Sequence, residues 1–285
     1  MNIAIIDYPH SMQSAIHGCD EMFMLTNTFC REQAYDAHFE VDILQLDDIL
    51  QDTFASKRYT AIFIPPGFKE ECYLRPNSML THWLKQRHKE GSILCSACAG
   101  VFIIASTGLL HEREVTTHGI LIDTLKTHYP SVQLKPHHIL INDGDIITAG
   151  GMMSWVDLGL ELVAQLTSPA IMRQLGRMLV VDTGRREQRY YQQFSPRYTH
   201  GDTAILEVQK QIRNDYKNSI KIADLAEQYC LTERTFLRRF VKATGIKPSE
   251  YIQRLRIQKV CDQLESTHHS FDYIANNVGY KDSGA

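Results

Sequence analysis

A chain of 285 residues with 44% hydrophobic side chains is long enough for two cored domains. No apolar run reaches the roughly 18 residues of a membrane span, and the opening stretch lacks a basic segment and cleavage site, so neither a span nor a signal peptide is expected. Seven cysteines without a repeating spacing fit reduced thiols in a cytoplasm better than a disulfide framework, and the net charge of −3 hides an asymmetry. Residues 1–200 hold 17 Lys/Arg against 22 Asp/Glu, whereas residues 201–285 hold 13 against 11.

The chain opens with short apolar runs separated by helix-length segments. NIAIID (Asn2–Asp7), VDILQL (Val41–Leu46), AIFI (Ala61–Ile64) and SILC (Ser92–Cys95) have the look of buried parallel strands. Gly18–Gln33 and Ser78–Glu90 serve as crossover helices, so the first part is expected to be an α/β sandwich. Pro65-Pro66-Gly67 ends its strand abruptly and leaves backbone groups at the sheet's carboxyl edge, where such folds place ligands. Tyr8 and Pro9 follow the first strand and are expected at the same rim.

The chemistry of this domain centres on SILCSACAGVFIIASTGLL. A strand runs into Cys98, the small residues Ala97, Ala99 and Gly100 surround it, and an apolar helix follows. Small neighbours permit the strained turn of a nucleophile elbow, and a helix N-terminus favours a thiolate. Two other readings remain open for Cys98: a buried structural thiol, and a redox sensor. Cys95 and Cys98 are formally C-x-x-C, but Cys95 should point to the opposite side of its strand. His118, in Thr116-Thr117-His118, is expected either to face Cys98 or to cap a strand end. Gly150 and Gly151 are expected to open a helix within Thr148–Val163 whose free amides suit an anion, the alternative being helix initiation without a ligand. His137-His138 lacks a second pair at metal spacing, and neither metal nor cofactor is expected.

This part resembles the ThiJ/PfpI superfamily, with the class I glutamine-amidotransferase-like (flavodoxin-like) fold. The likeness runs from Met1 to about Leu166, with CAG followed by TTH at the superfamily's spacing and Asp143-Gly144-Asp145 as a hairpin turn. The resemblance implies a ligand pocket at Cys98, Ala99, His118, Gly67, Tyr8 and Gly151. It also marks two departures. Ala15 stands where an acidic residue would poise the cysteine, and Ala99 stands where the proteases have histidine. A thiolate without a proton-handling partner is a poor catalyst, so sensing is expected rather than turnover.

Pro169–Val181 is amphipathic, with Ile171, Leu175 and Met178 on one stripe. From 182 to 200 helical periodicity stops, and Arg185, Arg186, Arg189 and Arg197 lie among tyrosines. This linker is expected to be either a solvated hinge or a phosphate contact.

In KIADLAEQYCLTERTFLRRFVKATG (Lys221–Gly245), Ile222, Leu225, Ala226 and Tyr229 form one apolar helix face. Thr232 is placed to cap the next helix, Leu231 and Phe236 have the spacing of a hydrophobic staple, and Gly245 can supply the left-handed end. That second helix turns Phe236, Phe240 and Ala243 inward and Arg234, Arg238 and Val241 outward. The pattern is that of a helix-turn-helix, unless it is a bundle hairpin with a solvated arginine face. A repeat strengthens it: Phe271, Ile274, Ala275 and Val278 restate the first helix at a constant offset of 49, with Gly279 in place of Cys230. Tyr251–Leu264 is long enough to join two such units.

The stretch from Asp202 to Ala285 resembles the AraC family of bacterial regulators, through IADLAEQYCLTERTFLRRF, ATGIKPSEYIQRLRI and FDYIANNVGYKD. Cys230 departs from the family's usual glycine. Ala285 corresponds to Phe236, so the second recognition helix is expected to be incomplete and operator binding weak. The two resemblances together are those of GlxA-type regulators. They imply an α/β sensing domain over 1–181, a linker over 182–200 and an all-α AraC-type helix-turn-helix domain over 201–285. Double-stranded DNA, a small-molecule effector of unknown identity and a second copy of the chain are the implied partners, in the cytoplasm. Arg234 and Arg238 are expected on base edges, with Thr235 second in rank; Arg239 and Thr232 are expected on phosphates. Leu237 and Val241 either meet thymine methyls or pack. The competing function is a cysteine enzyme of the amidohydrolase, deglycase or glyoxalase type.

Overall fold

The computed structural model describes residues 1–50, 57–184, 194, 196, 198 and 200–280, and the chain divides into two units, Met1–Gln192 and Gln193–Ala285. The first opens with β1 (Asn2–Asp7), α1 (Gln13–Glu32), β2 (Glu40–Gln45), α2 (Leu46–Leu50) and β3 (Ala61–Ile64). It continues through α3 (Glu70–Leu74), α4 (Ser78–Lys89), β4 (Ile93–Ala97), α5 (Gly100–Ser106) and β5 (Glu114–Val115). After a 3-10 turn (Gly119–Leu121) come α6 (Ile122–His128), β6 (Gln133–Leu134), β7 (Leu140–Asn142), β8 (Ile146–Ala149), α7 (Trp155–Leu166) and α8 (Pro169–Leu179).

Among the described residues a six-stranded sheet runs in the order β2-β1-β3-β4-β8-β7, parallel except for the β7–β8 hairpin at its edge. Successive residues of the inner strands serve opposite cores. Ile3, Ile5, Phe63 and Cys95 pack with α1, α7 and α8, whereas Ala4, Ile6, Ile62 and Leu94 pack with α4 and α5. Burial on both faces explains why these strands read as continuous apolar runs. It also confirms that Cys95 and Cys98 belong to different layers, since Cys98 lies in the α4/α5 core.

Three expectations need correction. The first helix begins at Gln13 rather than Gly18, because Met12 starts it without a side-chain cap that could mark the place. Met178 does not join the buried stripe of α8: Ile171 and Leu175 are buried, but Met178 is 62% exposed. Gly150 and Gly151 do not open a helix. Thr148 and Ala149 are held in β8 opposite Ser96 and Ala97, the Gly150 amide donates to the Ile139 carbonyl, and α7 starts only at Trp155. No pair of free helix-N-terminal amides exists at these glycines.

The second unit contains α9 (Thr203–Asp215), α10 (Ile222–Gln228), α11 (Glu233–Thr244), α12 (Pro248–Ser266) and α13 (Phe271–Asn277). Its core joins Ile205, Val208 and Ile212 of α9 to Leu225, Phe236, Phe240, Tyr251 and Leu255. Phe240 meets Tyr251 edge-on at 5.3 Å between ring centroids, a favourable aromatic geometry. No helix among the described residues is long and apolar enough to cross a membrane.

Candidate functional site

β4 leads straight into Cys98, whose φ of 54° is the left-handed conformation of an elbow. The Cys98 amide donates to the Ala149 carbonyl at 2.8 Å, and Thr117 donates its hydroxyl to the Cys98 carbonyl at 2.9 Å. Gly100 explains the small residue beyond it: a Cβ there would stand 2.7 Å from the Ile64 carbonyl oxygen. The elbow is therefore built, but its thiol is not activated. Cys98 is only 5% exposed, burial pushes its thiol up to about 11, and the hydrogen bond from the Ala99 amide offsets this only in part. Of the readings open for Cys98, this burial favours the structural thiol over the thiolate: α5 is one short helix end against nearly complete desolvation. Ala15 is buried in the opposite layer, so no carboxylate replaces the missing acid at that position.

His118 is half-buried and caps the 3-10 turn, its Nδ1 accepting from the Ile120 amide at 3.2 Å. Burial lowers its pKa, which favours the neutral acceptor. Thr117, quoted in the sequence only as part of its motif, is the member of that motif that holds the elbow. Gly67 abuts Tyr8 so closely that a Cβ would fall 2.5 Å from the phenolic oxygen. The Tyr8 hydroxyl in turn donates to the Pro65 carbonyl at 2.8 Å. Burial raises the Tyr8 pKa, reinforced by the Cys98 and Cys72 thiols.

A cavity of 290 Å³ is bounded by Tyr8, Pro9, Leu46, Cys72, Arg75 and Asn77, among others. Of the six residues implied as a pocket, Tyr8 alone lines it. Cys98 and Ala99 form the elbow, Gly67 shapes Tyr8, and His118 and Gly151 do not border the cavity. His137 and His138 lie on an exposed turn, and among the described residues no three metal-ligating side chains come together.

The second unit presents a different surface. Thr232 caps α11, its hydroxyl oxygen accepting from the Thr235 amide at 3.3 Å, and Gly245 ends the helix at φ 83°. Phe236, Phe240 and Ala243 are buried, whereas Arg234 and Arg238 are exposed on the other face and Val241 is 39% exposed. Leu237 and Thr235 are half-buried.

Two residues expected on phosphates are committed elsewhere. Arg239 donates through Nε and a terminal nitrogen to both carboxylate oxygens of Asp202, at 2.9 and 2.6 Å. The guanidinium holds the Asp202 carboxyl below its usual range while Asp202 caps α9. Thr232 donates its hydroxyl to Thr235 Oγ1 at 2.9 Å. Helix α9 was itself not singled out from the sequence, although Asp202 as cap and Ile205, Val208, Gln209 and Ile212 on one face signal it.

The repeat extends to individual hydrogen bonds. After α10 the Cys230 amide donates to the Glu227 carbonyl and that of Leu231 to Ala226; after α13 the Gly279 amide donates to Asn276 and that of Tyr280 to Ala275. Each pair lies 49 residues from its counterpart, and Cys230 and Gly279 both have positive φ, 54° and 97°. Arg256 of α12 ties the second of these turns to the segment that follows α9. Its guanidinium donates to the carbonyls of Tyr216, Asn218 and Gly279. The linker arginines 185, 186, 189 and 197, and residues 281–285 of the second unit, lie outside the described residues.

A doubly wound α/β domain with a cysteine elbow is followed in the chain by a helix-turn-helix domain. Comparison gives the two parts their families: residues 33–165 match the DJ-1/PfpI family and residues 225–285 match a helix-turn-helix domain. The chain thus carries a DJ-1/PfpI domain and an AraC-type helix-turn-helix domain. It is 26% identical over 226 residues to the HTH-type transcriptional regulator CdhR of Pseudomonas aeruginosa, covering 79% of this chain and 66% of that protein. It is 23% identical over 198 residues to the regulator ArgR of the same organism, covering 69% and 60%. The chain therefore spans about two thirds or less of these relatives' lengths. Among solved structures, an AraC family transcriptional regulator from Pseudomonas putida has a TM-score of 0.52 at 18% identity, over 62% of this chain and 98% of that one. This likeness concerns the fold.

Proposed function

We propose that the chain regulates transcription: α11 docks in a major groove with Arg234 and Arg238 on base edges, and the first unit senses a small molecule without turning it over. The observation that carries the reading is the division of α11 into a buried phenylalanine face and a face that exposes two arginines four residues apart. Arginine's fork matches the two major-groove acceptors of guanine. The similar proteins CdhR and ArgR, both named HTH-type transcriptional regulators, agree with it.

The non-catalytic half rests on the elbow. A thiol raised to about 11 is a weak nucleophile at neutral pH, and Ala15 and Ala99 offer no proton-handling group. The same burial argues against selective oxidation of Cys98. The test is selection of bound duplexes from a random pool, together with assays on methylglyoxal and small amides. A specific sequence should emerge, and neither substrate should be consumed. Turnover abolished by Cys98→Ser, with no sequence enriched, would establish the enzyme instead.

A further inference from the structure

The 290 Å³ cavity beside Tyr8 has a composition that selects its ligand. Apart from Arg75, every described residue that bounds it is uncharged: Pro9, Leu46, Pro76 and Leu80 supply apolar wall, and Tyr8, Cys72 and Asn77 supply the rest. Arg75 has no ion-pair or hydrogen-bond partner among the described residues. It closes α3 immediately before Pro76, which bars the helical conformation and holds the arginine at the cavity. Asn77 accepts from the Met79 amide through Oδ1 at 2.8 Å, which leaves its Nδ2 amide as a second donor. The Tyr8 hydroxyl is already spent on the Pro65 carbonyl. The cavity also sits at the carboxyl end of the sheet, where β1 continues to β2 on one side and pairs with β3 on the other. That switch in strand order is where open α/β sheets bind ligands.

We propose that this cavity binds a compact monocarboxylate with an aliphatic body, its carboxylate held by the Arg75 guanidinium and the Asn77 side-chain amide. One cation balances one negative charge, which favours a carboxylate over a doubly charged phosphate, and the volume suits a body of a few carbons against the leucine and proline wall. This assignment rests on the sensing role proposed for the first unit, and it places the ligand on the Tyr8 side of the elbow, away from the Cys98 sulfur.

The experiment titrates the full chain with butyrate, butyramide and n-butylamine at matched ionic strength, following heat of binding and thermal melting. Butyrate should bind saturably in the millimolar range and the other two should not. Arg75→Gln should weaken butyrate about tenfold or more, and Arg75→Lys, which keeps the charge but loses the fork, should weaken it less. Absence of butyrate binding, equal binding of butyramide, or unchanged affinity in Arg75→Gln would overturn the assignment. DNA binding of the same preparation is measured alongside: a sequence-specific complex that persists while butyrate fails overturns the ligand class alone, whereas loss of both overturns the regulator reading as well.

Discussion

Cys98 and Arg234 stand at corresponding places in their domains, each beside a helix start, yet the chain treats them in opposite ways. The elbow keeps its left-handed backbone and its hydrogen bonds to Ala149 and Thr117 but sinks the sulfur to 5% exposure. Helix α11 buries Phe236 and Phe240 and holds Arg234 and Arg238 out to solvent. A buried group can shape a fold, but a macromolecular partner meets what is exposed. The contrast teaches that a motif's backbone geometry and the exposure of its reactive atom are set separately.

The comparison breaks most visibly in the core of the second unit. Phe240→Ala should destabilise that unit by about 3–5 kcal/mol, read by denaturant unfolding, and should abolish binding to every duplex alike because the helix loses its seat. A smaller effect separates support from contact at Arg239. Arg239→Ala should lower the melting temperature through loss of the Asp202 pair while leaving the salt dependence of DNA binding unchanged. A phosphate contact would instead reduce the salt slope by about one. Smallest is the turn. Cys230→Gly should stabilise the second unit by about 0.5–1 kcal/mol in thermal melts, because glycine relieves a left-handed residue at some cost in unfolded-state entropy. The counterpart Gly279 has no such freedom, since a Cβ there would lie 2.4 Å from the Lys217 carbonyl oxygen.

Much of this was legible in the residues. β1 and β3 fall where their apolar runs stand, and the inward face of α11 was readable from helical spacing alone, because burial imposes the period. The 49-residue offset foretold even the hydrogen bonds of the second turn. What escaped had non-local causes. The start of α1 carries no capping side chain, and Gly150 is claimed by Ile139 across the hairpin. Arg239 finds its carboxylate 37 residues earlier, and Arg75 meets Tyr8 and Leu46 only once the sheet has assembled. The choice among the readings open for Cys98 is hidden for a related reason: proximity to a helix start is written in the sequence, but the depth of burial that opposes it is not.

The most direct test compares Arg234→Ala and Arg238→Ala on two duplexes, one selected by the protein and one of random sequence, by fluorescence anisotropy at a fixed salt concentration. Each variant should lose about 1–3 kcal/mol on the selected duplex and little on the random one. Equal losses on both would mean that these arginines only attract the phosphate backbone, and the reading role assigned to α11 would be wrong.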